Sequence, residues 1–240
     1  MFFPSDYLIT ELSLEIPKLK PILRSVGNIA LDEMLNSPDN KVEDFLNLKL
    51  DINRKTLLMV STWGDDSLLS TQGDNFLERA LELSSIYNVI LSLHPNCYNK
   101  KSTDGKRWPH LLEQCKKTKN MYVVPPAGNI FHLMKYIDLY VADKTSLSLY
   151  FSILEKPMVL INNPGMAFNK VSPTHLIREI TPLLDDVNEF TSDFIENVIS
   201  NFNQAEYSEL SQRICSYKGQ SLTRHKIEIY ELLGLSYKPE

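Results

Sequence analysis

The chain has 240 residues, 43% of them hydrophobic and 23% charged, a make-up that allows one sizeable core and excludes a disordered or fibrous chain. Its formal net charge of −5 excludes nucleic-acid binding driven by overall charge, so any anionic ligand must be held by local groups. Cys97, Cys115 and Cys215 are odd in number and widely spaced, which predicts neither a disulfide framework nor a zinc site and makes a reducing cytoplasm the simplest home.

The opening Met1-Phe2-Phe3-Pro4 is apolar, but Asp6 and Glu11 interrupt it before a signal sequence or membrane span could form. From Met1 to Asn53 the apolar residues are scattered and Pro17, Pro21 and Pro38 punctuate the chain, so residues 1–53 are expected to be a lead-in segment. From residue 54 to 240 the texture changes. Short apolar runs predict strands at Thr56–Ser61, Asn88–Leu93, Met121–Val124, Leu139–Ala142 and Met158–Ile161. Between them, Asn75–Tyr87, Pro109–Lys117, Asn129–Ile137 and Ser146–Glu155 place apolar residues three and four apart, as sheet-covering helices do. Three more helical stretches follow, at Val187–Asn201, Ala205–Tyr217 and Leu222–Leu233, with Gly219 and Gly234 as stops. The expectation is an α/β chain: a three-layer parallel sheet with a helical C-terminal tail.

Parallel sheets bind ligands beyond the carboxyl ends of their strands, so the polar residues after each apolar run are the candidates. After the first run come Thr62 and Trp63; the indole could stack a base or sugar, or could be a packing residue. After the second, Pro95 stops the strand and holds His94 at the crevice edge, where its imidazole could donate to a diphosphate oxygen and Asn96 could add an amide donor. The competing reading is a histidine that bonds backbone at a strand end. After the fourth, Asp143, Thr145 and Ser146 lead into a helix, which suits a phosphate at the helix start, or a plain N-cap by Asp143 or Thr145. The basic run Lys100, Lys101, Lys106 and Arg107, continued by Lys116, Lys117 and Lys119, could meet an anionic acceptor polymer or the membrane surface, or be a solvated loop. Neither a G-x-G-x-x-G, a P-loop, an H-E-x-x-H nor a G-x-S-x-G is present, so nothing in the motifs asks for a cofactor or metal.

In order, these segments resemble the CDP-glycerol glycerophosphotransferase family, which includes teichoic acid and capsule polymerases. That family's "aPTWR", "lHPn", "D-x-S-S" and "kP" stretches correspond to Ser61-Thr62-Trp63-Gly64, Leu93-His94-Pro95-Asn96, Asp143-Lys144-Thr145-Ser146 and Lys156-Pro157. Val26–Asp32 is similar to its "G-x-P-x-x-D" segment, and Gly219–Arg224 to its "dG-x-a-x-x-R" tail. The resemblance implies one Rossmann-like half of a GT-B fold that holds a nucleotide-activated donor, CDP-linked by preference. It implies His94 on the donor diphosphate in a catalytic role, and Thr145 with Ser146 at the phosphates. It also implies an anionic polymer or lipid-linked acceptor, work at the inner face of the membrane, and an N-terminal partner domain, with Met1 near the interdomain junction. Gly64 in place of the family's arginine, Thr145 in place of a serine, and Tyr150 in a place often acidic depart from the pattern. Two other readings stay open: a non-catalytic module that docks another chain or domain, and a relative of the nucleotide-sugar epimerases.

Overall fold

The computed structural model describes residues 1–98, 108–126, 128–162 and 173–238. Its centre is set by apolar runs long enough for a strand and too short for a helix. Thr56–Ser61 (β3), Asn88–Leu93 (β4), Met121–Val123 (β5), Leu139–Ala142 (β6) and Met158–Ile161 (β7) form where the runs predict them. Alternate residues of each strand enter different cores. Leu57, Met59, Val89, Leu91, Leu139 and Val141 face one side, while Leu58, Val60, Ile90, Tyr140 and Ala142 face the other. A sheet buried on both faces needs a helical layer on each, which is why the runs are continuously apolar.

On the first face lie α4 (Leu68–Leu83), α5 (Trp108–Lys117) and α9 (Ser192–Ser200). The second is covered by α6 (Phe131–Met134), α7 (Leu147–Ile153), α8 (Pro173–Ile180) and α10 (Gln204–Ile214). Three elements depart from the sequence expectation. Helix α8 and the short strand that follows it, Leu183–Leu184 (β8), were not predicted; two residues carry no period, and β8 exists because its backbone pairs with β7. Helix α4 starts seven residues before the predicted Asn75, because the Ser67 hydroxyl accepts the Ser70 N–H and a distant carboxylate accepts that of Leu68. A kink at Gln72 (φ −128°) separates this added turn from the regular apolar period, so pattern alone finds only the part beyond it.

All six strands run parallel in the order β5-β4-β3-β6-β7-β8. The chain starts the sheet at β3, winds outward to β5, then crosses to β6 and winds the other way. The reversal falls between β3 and β6, where the following loops part and leave a crevice.

Residues 1–53 contribute to the same body. Phe2–Phe3 (β1) pairs in parallel with Arg24–Ser25 (β2), and α1 (Asp6–Glu15) lies beside α10. Helices α2 (Ile29–Leu35) and α3 (Lys41–Asn47) bury Leu31, Met34 and Phe45 in the second core. The tail helix α11 (Ser221–Leu232) is clasped by the N-terminal segment: the Asp32 carboxylate accepts the N–H groups of Gly219 and Ser221, each at 2.6 Å, and the Ser221 hydroxyl accepts the N–H of Asn28 at 2.8 Å. The two outermost segments that carry the family resemblance thus meet in space, 187 residues apart in the Asp32–Gly219 bond.

Gly27 makes that clasp close. Its φ is +76°, and a Cβ there would lie 2.3 Å from Ser221 Oγ and 2.8 Å from the Ser216 carbonyl oxygen. Gly27→Ala is therefore expected to cost about 2–4 kcal/mol, from left-handed strain plus overpacking, and a lowered midpoint of chemical denaturation checks it. A midpoint equal to that of the parent would show that the clasp adds nothing to stability.

Candidate functional site

The reversal point is tied by one carboxylate. Asp143, directly after β6, is 3% exposed, and its oxygens accept the Thr62 N–H at 2.9 and 3.1 Å, the Leu68 N–H at 2.8 Å and the Ser61 hydroxyl at 3.1 Å. Ser61 Oγ in turn accepts the Leu69 N–H at 2.9 Å. Burial pushes the Asp143 carboxyl above the ordinary aspartate range, against the pull of the Leu68 and Thr62 N–H groups and the Ser61 hydroxyl. The side chain expected to sit at a donor is instead turned into the protein, where it joins the end of β3 to the start of α4. It is not the cap of the helix after β6 either.

His94 follows β4 and is held to β3 by its N–H, which donates to the Ser61 carbonyl at 3.1 Å. Pro95 begins a tight 3-10 turn, Pro95–Tyr98, that brings the Asn96 N–H to within 3.2 Å of His94 Nδ1. An imidazole nitrogen that accepts has no proton of its own, so the ring proton is on Nε2, the nitrogen left for a ligand. The contribution of Asn96 is thus a backbone one; its exposed side chain is not part of the cavity wall. Trp63 is 55% exposed, and its ring lies 5.7 Å from the His94 ring with 30° between their planes. It is neither the buried packing residue nor part of the cavity wall, but a plate beside the imidazole.

Thr62, His94, Thr145 and Ser146 line one cavity of about 180 Å³ at the carboxyl ends of β3, β4 and β6. That volume is below the roughly 300–1,000 Å³ of pockets that enclose whole small molecules, so it suits a phosphate-sized part of a larger ligand. Thr145 Oγ1 accepts the Leu147 N–H at 3.3 Å. Ser146 stands at the cap position of α7 yet makes no side-chain cap bond, so its hydroxyl is uncommitted to the helix. Helix α7 has only 7 residues, and the hydroxyls, more than its dipole, define this wall.

The fourth wall, Val124 with Pro125, Pro126 and Gly128, was missed in the sequence because the run after β5 offers no polar side chain. Its signal was the Pro-Pro-x-Gly turn: the Gly128 N–H donates to the Pro125 carbonyl at 2.7 Å, and the Tyr98 hydroxyl donates to the Val124 carbonyl at 3.0 Å. Gly64, where the family carries arginine, has φ +109°, a conformation that strains any larger residue. Among the described residues His94 is the one ionisable side chain in the cavity wall. Lys100, Lys101, Lys106 and Arg107 lie outside the described residues. No helix among the described residues is long and apolar enough to cross a membrane.

Six parallel strands wound in two directions, with helices on both faces and a cavity at the reversal point, make this chain a Rossmann-like half of a GT-B fold. Neither a protein-family model nor a curated protein matches it. Among solved structures, the wall teichoic acid polymerase TagF is similar with a TM-score of 0.60 at 16% identity, over 97% of this chain and 58% of that one. TagF has also been solved after soaking with CDPG. The UDP-GlcNAc 2-epimerase of Methanocaldococcus jannaschii, in complex with UDP-GlcNAc and UDP, is similar with a TM-score of 0.59 at 16% identity over 96% of this chain and 60% of that one. For a glycosyltransferase of Rickettsia africae the values are 0.56 and 12%, over 97% and 62%. At such identities the likeness shows the fold. The chain spans less than two thirds of the length of each of these proteins.

Proposed function

We propose that this chain is the donor-binding part of a transferase that moves a glycerol-phosphate, ribitol-phosphate or sugar unit from a CDP- or similarly activated nucleotide to a cell-surface polymer. The observation that carries this reading is the convergence of His94, Thr145 and Ser146 on one cavity at the reversal point of the sheet. Residues 54–240 would form the donor domain and residues 1–53 the segment at its interdomain junction, in the cytoplasm at the inner face of the membrane.

The chemistry asks for positioning and charge stabilisation. An acceptor hydroxyl attacks the transferred unit, the bond to the nucleotide breaks, and negative charge grows on the departing phosphate. His94 Nε2–H donates to that oxygen, with Nδ1 fixed by Asn96 N–H and the ring plane held by Trp63. The hydroxyls of Thr145 and Ser146 donate to the neighbouring phosphate oxygens. Among the described residues the wall carries no lysine or arginine, and the affinity is expected to be modest, micromolar to millimolar.

Calorimetric titration with CDP, CMP, UDP and UMP tests this. The diphosphates are expected to bind about ten-fold or more tightly than the monophosphates, since a second phosphate adds a charge-assisted bond of about 1.5–3 kcal/mol. No heat with any of the four would remove the reading.

A separate observation favours a second one, a non-catalytic docking module. Helix α11 turns Glu228, 2% exposed, toward the domain, where Arg24 and Arg224 pair with it, and leaves Leu222, Ile229, Leu232 and Leu233 44–67% exposed. Apolar faces of this kind mark contact surfaces. Under that reading, light scattering finds a stable complex with a partner while calorimetry finds no nucleotide affinity.

A further inference from the structure

Four tyrosines are buried among the described residues, and in three of them a partner accounts for the hydroxyl: Tyr87 bonds Glu196, Tyr136 bonds Asp39 and Tyr207 bonds Thr181. The fourth, Tyr140 in β6, differs. It is fully buried in the second core, stacked on Phe151 with 4.8 Å between ring centroids and 23° between planes, and its hydroxyl makes no hydrogen bond among the described residues. The other aromatic side chains buried to that degree, at positions 45, 76, 151 and 190, are all phenylalanine. A buried hydroxyl without a partner costs stability, so packing alone favours phenylalanine at position 140 as well.

The polar neighbours of that hydroxyl are the Asp143 carboxylate and the Thr145 side chain. The Asp143 oxygens are already taken by the Ser61 hydroxyl and by the Thr62 and Leu68 N–H groups. Thr145 Oγ1 accepts the Leu147 N–H at 3.3 Å, and a hydroxyl oxygen has a second lone pair. Burial and the Asp143 charge hold the phenol well above its usual range, so near neutral pH it keeps its proton and can donate it. Tyr140 does not itself line the His94 cavity, whereas Thr145 does. The phenol therefore lies behind the wall, with one wall hydroxyl as its available acceptor.

We propose that Tyr140 is a positioning residue of this cavity: when a phosphate enters, the Tyr140 O–H donates to Thr145 Oγ1 and so turns the Thr145 hydroxyl to donate to a phosphate oxygen. With both lone pairs of Oγ1 filled from the protein side, the Thr145 proton is left to point into the cavity. A hydroxyl that accepts such a bond also donates a stronger one. No covalent bond breaks and no proton changes owner. The unpartnered phenol thus burdens the empty site and is satisfied in the occupied one. The inference rests on reading the cavity as a phosphate site, and it names the residue that prepares one of its donors.

Tyr140→Phe tests it, because this variant keeps the ring on Phe151 and removes the oxygen alone. The melting temperature of the free protein should equal or exceed that of the parent, whereas a hydroxyl that merely held the fold would lower it on removal. Calorimetry with CDP and with pyrophosphate should show binding about three- to ten-fold weaker, the worth of one neutral hydrogen bond. In a Thr145→Val background, which has no hydroxyl to turn, Tyr140→Phe should cost nothing further; in a Thr145→Ser background, which restores the hydroxyl, the loss should return. Parent-like affinity for both ligands in Tyr140→Phe would overturn the proposal, as would the same loss in the Thr145→Val background. A parent that binds pyrophosphate but no nucleotide, with the Tyr140→Phe loss intact, would remove the donor reading and support this one. A parent that binds neither would end both.

Discussion

His94→Ala is expected to lower the affinity for CDP by about ten- to hundred-fold, the equivalent of one hydrogen bond to a charged group at about 1.5–3 kcal/mol. The loss is this large because, among the described residues, the other side-chain donors of the cavity wall, Thr62, Thr145 and Ser146 among them, are neutral hydroxyls. The fold should not suffer, since the ring is half-buried and its one bond is the Asn96 N–H, which water can satisfy. Trp63→Ala should weaken CDP binding by less than His94→Ala, and Trp63→Phe should recover most of that, because a phenyl ring can still stack on the imidazole. Calorimetry on the three variants decides the order. A His94→Ala protein that binds CDP as the parent does would detach the imidazole from the phosphates and leave the cavity without its proposed use.

Asp143→Ala should be the most destabilising single change at the site, by about 3–5 kcal/mol, because buried donors left without an acceptor cost about 1–3 kcal/mol each. The donors are the Thr62 and Leu68 N–H groups and the Ser61 hydroxyl, so the end of β3 and the first turn of α4 should loosen together. Chemical denaturation measures the loss, and hydrogen exchange at Leu68 and Leu69 locates it. The pH dependence has a definite sign. Burial raises the folded pKa of Asp143 above its unfolded value, so the folded protein holds this proton more tightly. The group's contribution is then fullest below the unfolded pKa and declines as pH rises through the window up to the folded pKa. The parent should show that decline above the ordinary aspartate range, and the alanine variant should lack it. A variant as stable as the parent, with the same slope, would mean that the carboxylate ties nothing.

These two residues also show how far the site could be read before the fold was known. His94, Thr145 and Ser146 were legible because the rule that finds them is local: a polar residue directly after an apolar run of strand length, with a proline or a helix start to follow. Asp143 satisfied the same rule, and the rule says nothing about which way a side chain turns. That was decided by the Leu68 N–H, 75 residues away, which needed an acceptor in a place without water. The wall of Val124, Pro125, Pro126 and Gly128 escaped for the opposite reason, since its contribution is shape. The role of Asn96 was misplaced on its amide because the turn that points its N–H at His94 is visible only in the backbone.

The layers of this protein were legible before its fold. Strands buried on both faces must be apolar at every position, and helices that cover them must be apolar every third or fourth residue, so both leave a signature in consecutive residues. The remaining features came with the fold: that β8 is a strand, that α4 begins at Leu68, that Asp32 and Ser221 clasp the two ends, and that Lys49 after α3 and the lysines around the end of α5 share a groove with β5. Each of these depends on a partner distant in the chain, and the free energy of such a contact exists only once the sheet has brought the partners together.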